Sequence, residues 1–352
     1  MKNLLSGTKP VETKPPFVSV IVPVHDSLVY LPRSLAAIKK TEYPDFELIV
    51  VDDRSEDGTL ECAKIYADLV LQMEKRGGPG KARNRGAAES RGSILCFFDA
   101  DVEIKPQTVG LIVCFFEKNP SAGALFGSYD DTPEGQNFFS QYKNLFHHFI
   151  HQRSSEKAAT FFGACGAVRR EVFNRMGGFP ETYSFPAIED VELGYLMTGK
   201  GITVCLAKDI QVKHLKKWTF WNLFRSDIKA RAIPWTKLSQ KKKLPKDLNF
   251  KLSDRISGIL TLFLALSLLG LLWAAWFLIP ALGSAFLLIV LNRKLYRFFY
   301  RKRGTCFAVF SVLYHWFYLF YSSVVFGVMT IYLKLGKRFF SGPVRPSADY
   351  SP

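Results

Sequence analysis

The sequence predicts an α/β fold, Rossmann-like with a mostly parallel sheet, followed by a C-terminal α-helical transmembrane region. Short β-branched runs alternate with stretches of helical spacing, which is typical of parallel strands connected by helices. The runs are apolar enough to be covered on both faces. Hydrophobic residues make up 48% of the chain and concentrate after Gly258, which indicates a bilayer rather than an oversized core.

Strands and helices alternate over the N-terminal part of the chain. The predicted strands are Phe17–Pro23, Phe46–Asp52, Leu69–Gln72 and Ser93–Phe98. The predicted helices between them are Leu28–Lys40, a helix from Thr59 through Ala67 and a helix around Lys81–Ser90. Ligands bind at the carboxyl ends of strands in such sheets. We therefore expect the site where polar clusters follow strands, at His25-Asp26, Asp52-Asp53 and Asp99-Ala100-Asp101.

Composition divides the chain into five segments. We expect a flexible N-terminal arm (1–16), an α/β catalytic domain (17–215), an interfacial amphipathic helix with a basic linker (216–255), about three transmembrane helices (256–338) and a tail (339–352). The arm is polar and has no apolar core of a signal peptide. The α/β domain is therefore expected to be made in the cytoplasm and to stay there.

The apolar region is expected to cross the inner membrane more than once. Ile256–Leu291 is almost free of charge and is about twice the roughly 20 residues that a spanning helix needs. Pro280 and Gly283 near its middle predict a break into a helical hairpin. Basic residues flank both ends, which predicts that both ends are cytoplasmic. Cys306–Leu333 is long enough for one further span, whose topology stays open.

Charge and cysteine usage limit the partners. Lys and Arg number 47 against 31 Asp and Glu, a formal charge of +16, and much of the excess flanks the apolar segments. This placement favours an anionic membrane surface, and no nucleic-acid-binding signature opposes it. The six cysteines form no C-x-x-C pair and no zinc spacing, which suits a reducing compartment.

Paired carboxylates are the strongest chemical signal. An isolated Asp-x-Asp is as often a surface loop as a site, but a buried strand delivers Asp99-Ala100-Asp101 to the edge of the sheet. Two carboxylates there need a cation, and Mg²⁺ or Mn²⁺ holding a diphosphate is the natural partner. His214 follows the strand-like stretch Ile210–Val212. A lone His is more often structural, but beside Asp101 it is a candidate second ligand.

Three further clusters carry candidate roles. Asp53 is interpreted as facing a ligand, with hydrogen bonds to a nucleotide base, whereas Asp57 is a helix cap. The glycine-rich turn at 77–80 leads to Arg83 and offers a helix N-terminus to an anion, without the G-x-x-x-x-G-K-[ST] pattern. Asp190 is a candidate general base. The alternative for its cluster, complementarity to the helix dipole, explains Glu192 better.

The order of these motifs resembles the inverting family-two glycosyltransferases with a GT-A type domain. The motifs are PVHD, VVDDRSEDGT, GPGKARNRG, FFDAD, GACGAVRREVF, GGFPE and EDVELG, and the resemblance covers about residues 17–235. It implies a nucleotide-diphospho-sugar donor, with a UDP-sugar expected, and transfer by a metal-dependent hexosyltransferase. It implies that Asp190 deprotonates an acceptor hydroxyl as it attacks the anomeric carbon.

The resemblance also implies the residues of each subsite. The donor pocket is expected to contain Pro23, His25, Asp53, Arg83, Asp99, Ala100 and Asp101. The metal, Mg²⁺ or Mn²⁺, is expected on Asp101 and His214. The vicinity of the acceptor or sugar is expected to contain Gly163, Ala164, Cys165, Gly166, Glu189, Trp218 and Trp235.

One departure from the family concerns the mode of transfer. Processive members carry Q-x-x-R-W, whereas this chain has Arg231-Ala-Ile-Pro-Trp235. Three membrane segments are also few for a polysaccharide channel. We therefore expect addition of a single sugar, with a processive polysaccharide synthase as the alternative and a non-catalytic scaffold as the alternative from another class.

The acceptor is expected to be a lipid or a lipid-linked saccharide. Residues 216–235 mix aromatic and basic side chains, which suits a helix lying in the headgroup layer. A helix packed on the transferase core is the alternative.

Overall fold

The computed structural model describes residues 15–241 and 252–340. Most of the predicted arm (1–14), part of the basic linker (242–251) and most of the tail (341–352) lie outside the described residues. The strands are β1 Val18–Val24, β2 Phe46–Asp52, β3 Leu69–Gln72, β4 Ile94–Phe98, β5 Val102–Glu103, β6 Ala122–Tyr129, β7 Lys157–Ala158, β8 Cys165–Arg169 and β9 Thr203–His214.

Helices connect these strands and then continue alone. Those of the α/β part are α1 Leu31–Lys39, α2 Thr59–Tyr66, α3 Pro79–Glu89, α4 Thr108–Lys118, α5 Phe138–Arg153, α6 Arg170–Met176 and α7 Glu189–Gly199. A helical stretch follows, made of α8 Phe220–Ser226, a π-helical segment Asp227–Ala232 and α9 Ile233–Lys241. The C-terminal region contains α10 Leu252–Gly270, a 3₁₀ turn Ala275–Phe277 and α11 Leu278–Phe340.

The sheet confirms the predicted mixed α/β, mostly parallel architecture. In the described ranges its strand order is β3-β2-β1-β4-β8-β6-β9-β5, and β7 pairs with β9. The four strands β3, β2, β1 and β4 run parallel, because helices cross over between them. Strand β8 lies between β4 and β6 and runs antiparallel to both. Cys165 at the start of β8 pairs with Phe98 at the end of β4. This reversal brings the Gly163–Gly166 segment to the edge where β4 ends.

Two apolar clusters cover the two faces of the sheet, as the continuous apolar runs predict. Alternate residues of β1 divide between them: Val20 and Val22 belong to one cluster, and Ile21 belongs to the other. Burying both faces is the main stabilisation of a parallel sheet, since each fully buried Val or Ile contributes about 1.5–3 kcal/mol.

Helix α7 packs so closely on a neighbouring loop that one of its residues must be glycine. A Cβ at Gly194 would lie 2.3 Å from the backbone nitrogen of Phe161 and 2.4 Å from the carbonyl carbon of Thr160. We expect Gly194→Ala to lower the free energy of unfolding by about 1–3 kcal/mol. The new Cβ would meet backbone atoms, which cannot move aside as a flexible side chain can. Thermal unfolding of the purified chain measures this.

The same helix offers a matched control. A Cβ at Gly199, the last residue of α7, meets nothing within 4 Å. Gly199→Ala should therefore leave the unfolding temperature unchanged or raise it slightly, since Ala is the better helix former. Equal unfolding temperatures for the two variants would contradict the packing argument.

The C-terminal helices form a hairpin whose break differs from the predicted one. The chain leaves helix geometry after Gly270 and re-enters it at the 3₁₀ turn, so the predicted break at Pro280 and Gly283 is wrong. Pro280 is the third residue of α11, and a proline in the first helical turn removes no hydrogen bond. A second change of direction occurs at Gly304, whose φ of 82° lies outside the helical region.

Two helical stretches are long and apolar enough to cross a membrane, judged by length and composition alone. They are Leu252–Gly270 and Ala275–Leu335, and the second contains the kink at Gly304. The kink divides the second stretch into two helical arms, and the predicted number of membrane spans stays a prediction.

The kinked part of α11 packs on the α/β part of the chain. Leu295, Phe299 and Tyr314 share a buried cluster with Tyr142 of α5 and Leu223 of α8. Polar contacts join the same surfaces: the Arg303 guanidinium donates to the Gln141 side chain at 2.7 Å and to the Asp131 carbonyl oxygen at 2.9 Å. The basic residues around Gly304 therefore lie beside the α/β part.

Candidate functional site

The carboxyl ends of β1, β2 and β4 open into a cleft with a volume of about 410 Å³. Most of the residues that the sequence selects line it: Pro23, His25, Asp53, Arg83, Asp99, Ala100, Asp101, Glu189, Asp190, His214 and Trp218. They come together because parallel strands present their carboxyl ends at one edge.

Asp53 fixes the glycine-rich turn at one wall of the cleft. Its two carboxylate oxygens accept hydrogen bonds from the backbone nitrogens of Gly77 and Gly78 at 2.6 and 2.8 Å. Gly78 has a φ of 86°, and a Cβ there would lie 2.2 Å from the Tyr183 carbonyl oxygen. The His25 ring lies beside Asp53, with Nδ1 2.9 Å from its carbonyl oxygen. The predicted hydrogen bond from a nucleotide base to Asp53 would therefore compete with the two hydrogen bonds that Gly77 and Gly78 donate to the same carboxylate.

Backbone strain accompanies these strand ends. Asp26 and Arg54 adopt positive φ angles of 44° and 68°, and each lies two residues after the end of its strand, β1 or β2. Such conformations are costly for residues with a Cβ and cluster at functional sites.

Arg83 joins the sheet to helix α7 across the floor of the cleft. Its guanidinium is buried and lies 2.6 Å from Asp99 Oδ1 and 3.0 Å from Glu189 Oε1. The guanidinium also stacks 5.1 Å above the ring of Phe179. Burial raises the pKa of Asp99, helped by Asp101 and opposed by Arg83. Glu189 thus forms a buried ion pair with Arg83 and also lines the cleft.

Asp101 and His214 are neighbours because β5 pairs with β9. Val102 lies opposite His214 in that ladder, and Asp101 Oδ2 lies 3.7 Å from His214 Nε2. Tyr129 stacks on the His214 ring with 4.3 Å between centroids and holds its orientation. Burial opposes ionisation of Asp101, but His214 and Lys216 outweigh it and hold its pKa below the usual value. Asp101 is therefore a carboxylate at neutral pH.

This pair fits a divalent ion that a substrate phosphate helps to hold. No group of three or more acidic, His or Cys side chains is arranged as a metal cage within 15–241 and 252–340. Mg²⁺ ordinarily binds through one or two protein ligands and completes its shell with water and phosphate oxygens. One ionised carboxylate and one imidazole nitrogen meet that requirement, whereas a site for a metal without substrate would need more ligands.

Asp190 is the second residue of α7 and lies at the far wall of the cleft. Its Oδ2 accepts a hydrogen bond from the backbone nitrogen of Gly163 at 2.9 Å, and its Oδ1 accepts one from Val191 at 2.7 Å. Burial raises the pKa of Asp190 to about 6, and the Glu189 carboxylate adds to the effect. A carboxylate with this pKa is ionised at pH 7 and is a stronger base than an exposed one.

The other predicted residues lie close by without lining the cleft. Gly163 meets Asp190 through its backbone, while Ala164 and Cys165 are buried behind it. Burial raises the pKa of the Cys165 thiol to about 12, so it is not a nucleophile. A Cβ at Gly166 would strike Phe161 at 2.3 Å, so its role is packing. Trp235 lines a separate cavity.

The helix predicted to lie in the headgroup layer packs largely on protein. Trp218 is buried, and Phe220 and Phe224 stack on Phe317 of α11 with centroids about 6 Å apart. Trp221 is 62% exposed. The segment packs on both α5 and α11, and its place in the headgroup layer stays a prediction.

Several lining residues are absent from the sequence-based set. They are Tyr129, Lys143, His147, Lys216, Arg231 and the loop 184–187. Lys143 and His147 are one helical turn apart on α5, a spacing visible in the sequence. Nothing in the sequence shows that this face of α5 reaches the cleft.

The sheet and its carboxylate-lined edge define the GT-A class of fold. Residues 19–177 match the family model "Glycosyl transferase family 2".

Curated relatives resemble parts of the chain. The probable glycosyltransferase YdaM of Bacillus subtilis (strain 168) is 28% identical over 195 residues, which are 51% of this chain and 46% of YdaM. The poly(ribitol-phosphate) beta-N-acetylglucosaminyltransferase TarS of Staphylococcus aureus (strain Mu50) is 36% identical over 110 residues, 29% of this chain and 19% of TarS. The chain spans less than half the length of these two relatives.

One solved structure resembles nearly the whole chain. The mannosyltransferase PcManGT from Pyrobaculum calidifontis, in complex with GDP-Man and Mn²⁺, has 19% sequence identity and a TM-score of 0.57. The similarity covers 93% of this chain and 92% of PcManGT and establishes a common fold.

Proposed function

We propose that the protein is a membrane-bound, metal-dependent inverting glycosyltransferase. It moves one sugar from a nucleotide-diphosphate donor to a hydroxyl or phosphate of a lipid or lipid-linked acceptor. The observation that carries the proposal is the cleft itself, in which a base with a pKa of about 6, Asp190, faces the Asp101–His214 pair.

The donor is proposed to bind along the ends of β1, β2 and β4. His25 and Asp53 lie where the nucleoside would sit, and Lys216 supplies positive charge for the diphosphate. Arg83 lines the same pocket while it pairs with Asp99 and Glu189. Asp101 and His214 would hold Mg²⁺ or Mn²⁺, which neutralises the diphosphate and stabilises charge on the leaving group. PcManGT, with its bound GDP-Man and Mn²⁺, supports a nucleotide-sugar donor. A UDP-sugar stays the expected donor, and GDP-mannose is tested beside it as the alternative donor.

Asp190 is proposed to remove the proton of an acceptor hydroxyl. The hydroxyl oxygen attacks the anomeric carbon of the donor and forms the new glycosidic bond. The bond from that carbon to the diphosphate oxygen breaks, and the nucleoside diphosphate leaves with the electron pair. The proton goes to Asp190. Attack opposite the leaving group inverts the anomeric configuration.

The packing of the apolar helix α11 on the α/β part supports a lipid acceptor that is glycosylated at the inner membrane. The apolar helix α11 packs on α5 and α8, which also border the cleft. We propose that the α/β part and the basic residues around Gly304 lie on the cytoplasmic side. Relatives such as TarS, named for a poly(ribitol-phosphate) acceptor, suggest a cell-envelope glycan as the end product.

The proposed base predicts how transfer depends on pH. Asp190 must be ionised to accept a proton, and its pKa is raised to about 6 by burial. At saturating donor and acceptor, kcat should therefore be constant above pH 7 and fall about tenfold per unit below pH 6. Steady-state rates between pH 5 and pH 8 measure this. A flat profile would contradict Asp190 as the base.

The proposed function is tested with the full chain purified in a neutral detergent. The protein is offered labelled UDP-sugars and GDP-mannose with Mn²⁺, together with bacterial lipid extract or water-soluble glycans. We expect release of nucleoside diphosphate with one donor class and label in the organic phase. Label confined to water-soluble glycan would remove the lipid acceptor. Absence of release with every donor would favour a non-catalytic scaffold.

A further inference from the structure

A second cavity adjoins the catalytic cleft and reaches the apolar helix α11. Its volume is about 220 Å³, and it shares three lining residues with the cleft: Lys143, His147 and Arg231. Its far wall is formed by Tyr318, Ser322 and Phe326 of α11. Phe326 is 45% exposed on the outer surface of the helix. The cavity therefore lies between the cleft and a surface that the proposed function assigns to the bilayer.

The charges where the cavity meets the cleft do not balance. Lys143 Nζ lies 2.7 Å from Asp227 Oδ1, and the other Asp227 oxygen accepts a hydrogen bond from Tyr321 at 2.8 Å. Arg231 approaches the same carboxylate at 3.8 Å. Burial and Arg231 lower the pKa of Lys143 to about 8, so both cations are charged at pH 7. Two cations thus share one carboxylate.

The neighbouring histidine does not alter this balance. Burial and the nearby cations hold the pKa of His147 well below its usual value, so the ring is neutral. Its Nε2 lies 3.4 Å from Arg231 Nη1. Among the lining residues that the structure describes, the charged ones are Lys143, Asp227 and Arg231, which leaves one excess positive charge. A half-buried excess cation favours an anionic ligand.

The backbone holds Arg231 at this junction. Arg231 belongs to the π-helical segment Asp227–Ala232, and π-helical turns occur frequently at functional sites. Asp227 begins the segment and is fixed on two sides, by Lys143 of α5 and Tyr321 of α11. The segment therefore cannot rotate without breaking buried contacts, and Arg231 is placed between the cleft and the cavity.

We infer that the second cavity binds a phosphate-bearing lipid, with the phosphate between Lys143 and Arg231 and the apolar chain along Tyr318, Ser322 and Phe326. The inference deepens the proposed function and rests on it for the lipid nature of the acceptor. Bound there, the phosphate would leave the rest of the head group facing Asp190, which lines the same cleft. The donor diphosphate has its own proposed partners, Lys216 and the divalent ion, on the side of Asp101.

Equilibrium binding of radiolabelled farnesyl phosphate to the purified full chain tests this site. We expect farnesyl phosphate to bind at least about tenfold more tightly than farnesol or inorganic phosphate, since each lacks one half of the ligand. Arg231→Gln should weaken farnesyl phosphate at least about tenfold and leave UDP and GDP binding, measured with Mn²⁺, nearly unchanged. Lys143 is kept in place, because its removal would leave the buried Asp227 carboxylate poorly compensated.

Lys229→Gln is the matched control. Lys229 lies in the same π-helical segment, is exposed and lines neither cavity, so both affinities should stay at the wild-type value. Equal binding of farnesol and farnesyl phosphate would overturn the anion site, and equal binding of inorganic phosphate would overturn the lipid part. Loss of nucleoside diphosphate binding instead of farnesyl phosphate binding in Arg231→Gln would assign the cations to the donor.

The binding assay contains no sugar donor, so its outcome is separable from that of the proposed function. Sugar transfer to lipid without Arg231-dependent binding of farnesyl phosphate would overturn the cavity and leave the glycosyltransferase standing. Arg231-dependent binding of farnesyl phosphate without sugar transfer to any acceptor would overturn the glycosyltransferase and leave the lipid-binding cavity standing.

Discussion

Asp190→Asn is expected to reduce sugar transfer by about 10²- to 10⁴-fold while donor binding stays close to wild type. The amide keeps the shape of the carboxylate, and its oxygen can still accept the hydrogen bond from Gly163. It cannot accept a proton at neutral pH, so the chemical step loses its base. Single-turnover transfer and nucleoside diphosphate affinity, measured on the same preparation, separate the two effects. Turnover at the wild-type rate would exclude Asp190 as the base.

Glu192→Gln provides the control for removal of a negative charge from the same helix. Glu192 lies two residues beyond Asp190 on α7 and accepts a hydrogen bond from the Tyr183 hydroxyl at 3.0 Å, which an amide oxygen can also accept. It does not line the cleft. We therefore expect Glu192→Gln to transfer sugar at close to the wild-type rate. A comparable loss in both variants would indicate a general effect on α7.

The strands and their acidic ends could be predicted because they depend on short-range patterns. A buried parallel strand is a run of four to seven apolar residues, and the chain direction alone decides which end carries Asp53 or Asp99. The partners of these side chains depend on longer range. Nothing local shows that Arg83 bridges Asp99 and Glu189, which are 90 residues apart in sequence, or that Asp53 is committed to the backbone of Gly77 and Gly78.

The errors have the same origin. Pro280 suggested a break because proline is excluded from helix interiors, but its cost vanishes in the first turn, and the position of that turn depends on where the preceding helix ends. The packing of the aromatic residues around Trp218 on α11 depends on tertiary structure in the same way. Lys143 and Arg231 were not recognised as a cluster, because α5 and the π-helical segment meet only through tertiary packing.

Removal of the divalent ion is expected to abolish transfer, and Asp101→Ala is expected to weaken binding of the Mn²⁺-nucleotide complex about tenfold or more. Asp101 is ionised and lies 3.7 Å from His214, so the pair offers a carboxylate and an imidazole nitrogen to an ion that the diphosphate shares. Loss of the carboxylate should weaken binding more than loss of the imidazole, because the carboxylate brings a negative charge to the cation. His214→Ala should therefore show a milder defect of the same kind.

The electron paramagnetic resonance signal of bound Mn²⁺, titrated with UDP and GDP, measures this without reference to turnover. Glu103→Ala is the matched control, since Glu103 lies two residues beyond Asp101 on β5 and pairs with Arg33 at the surface. Surface ion pairs contribute little, so this variant should bind Mn²⁺ and nucleotide as wild type does. Unchanged Mn²⁺ binding in Asp101→Ala, or full transfer in excess chelator, would refute the metal at Asp101 and His214. A selective loss in Asp101→Ala and His214→Ala would assign the ion to the end of β4, where the donor diphosphate meets the sheet.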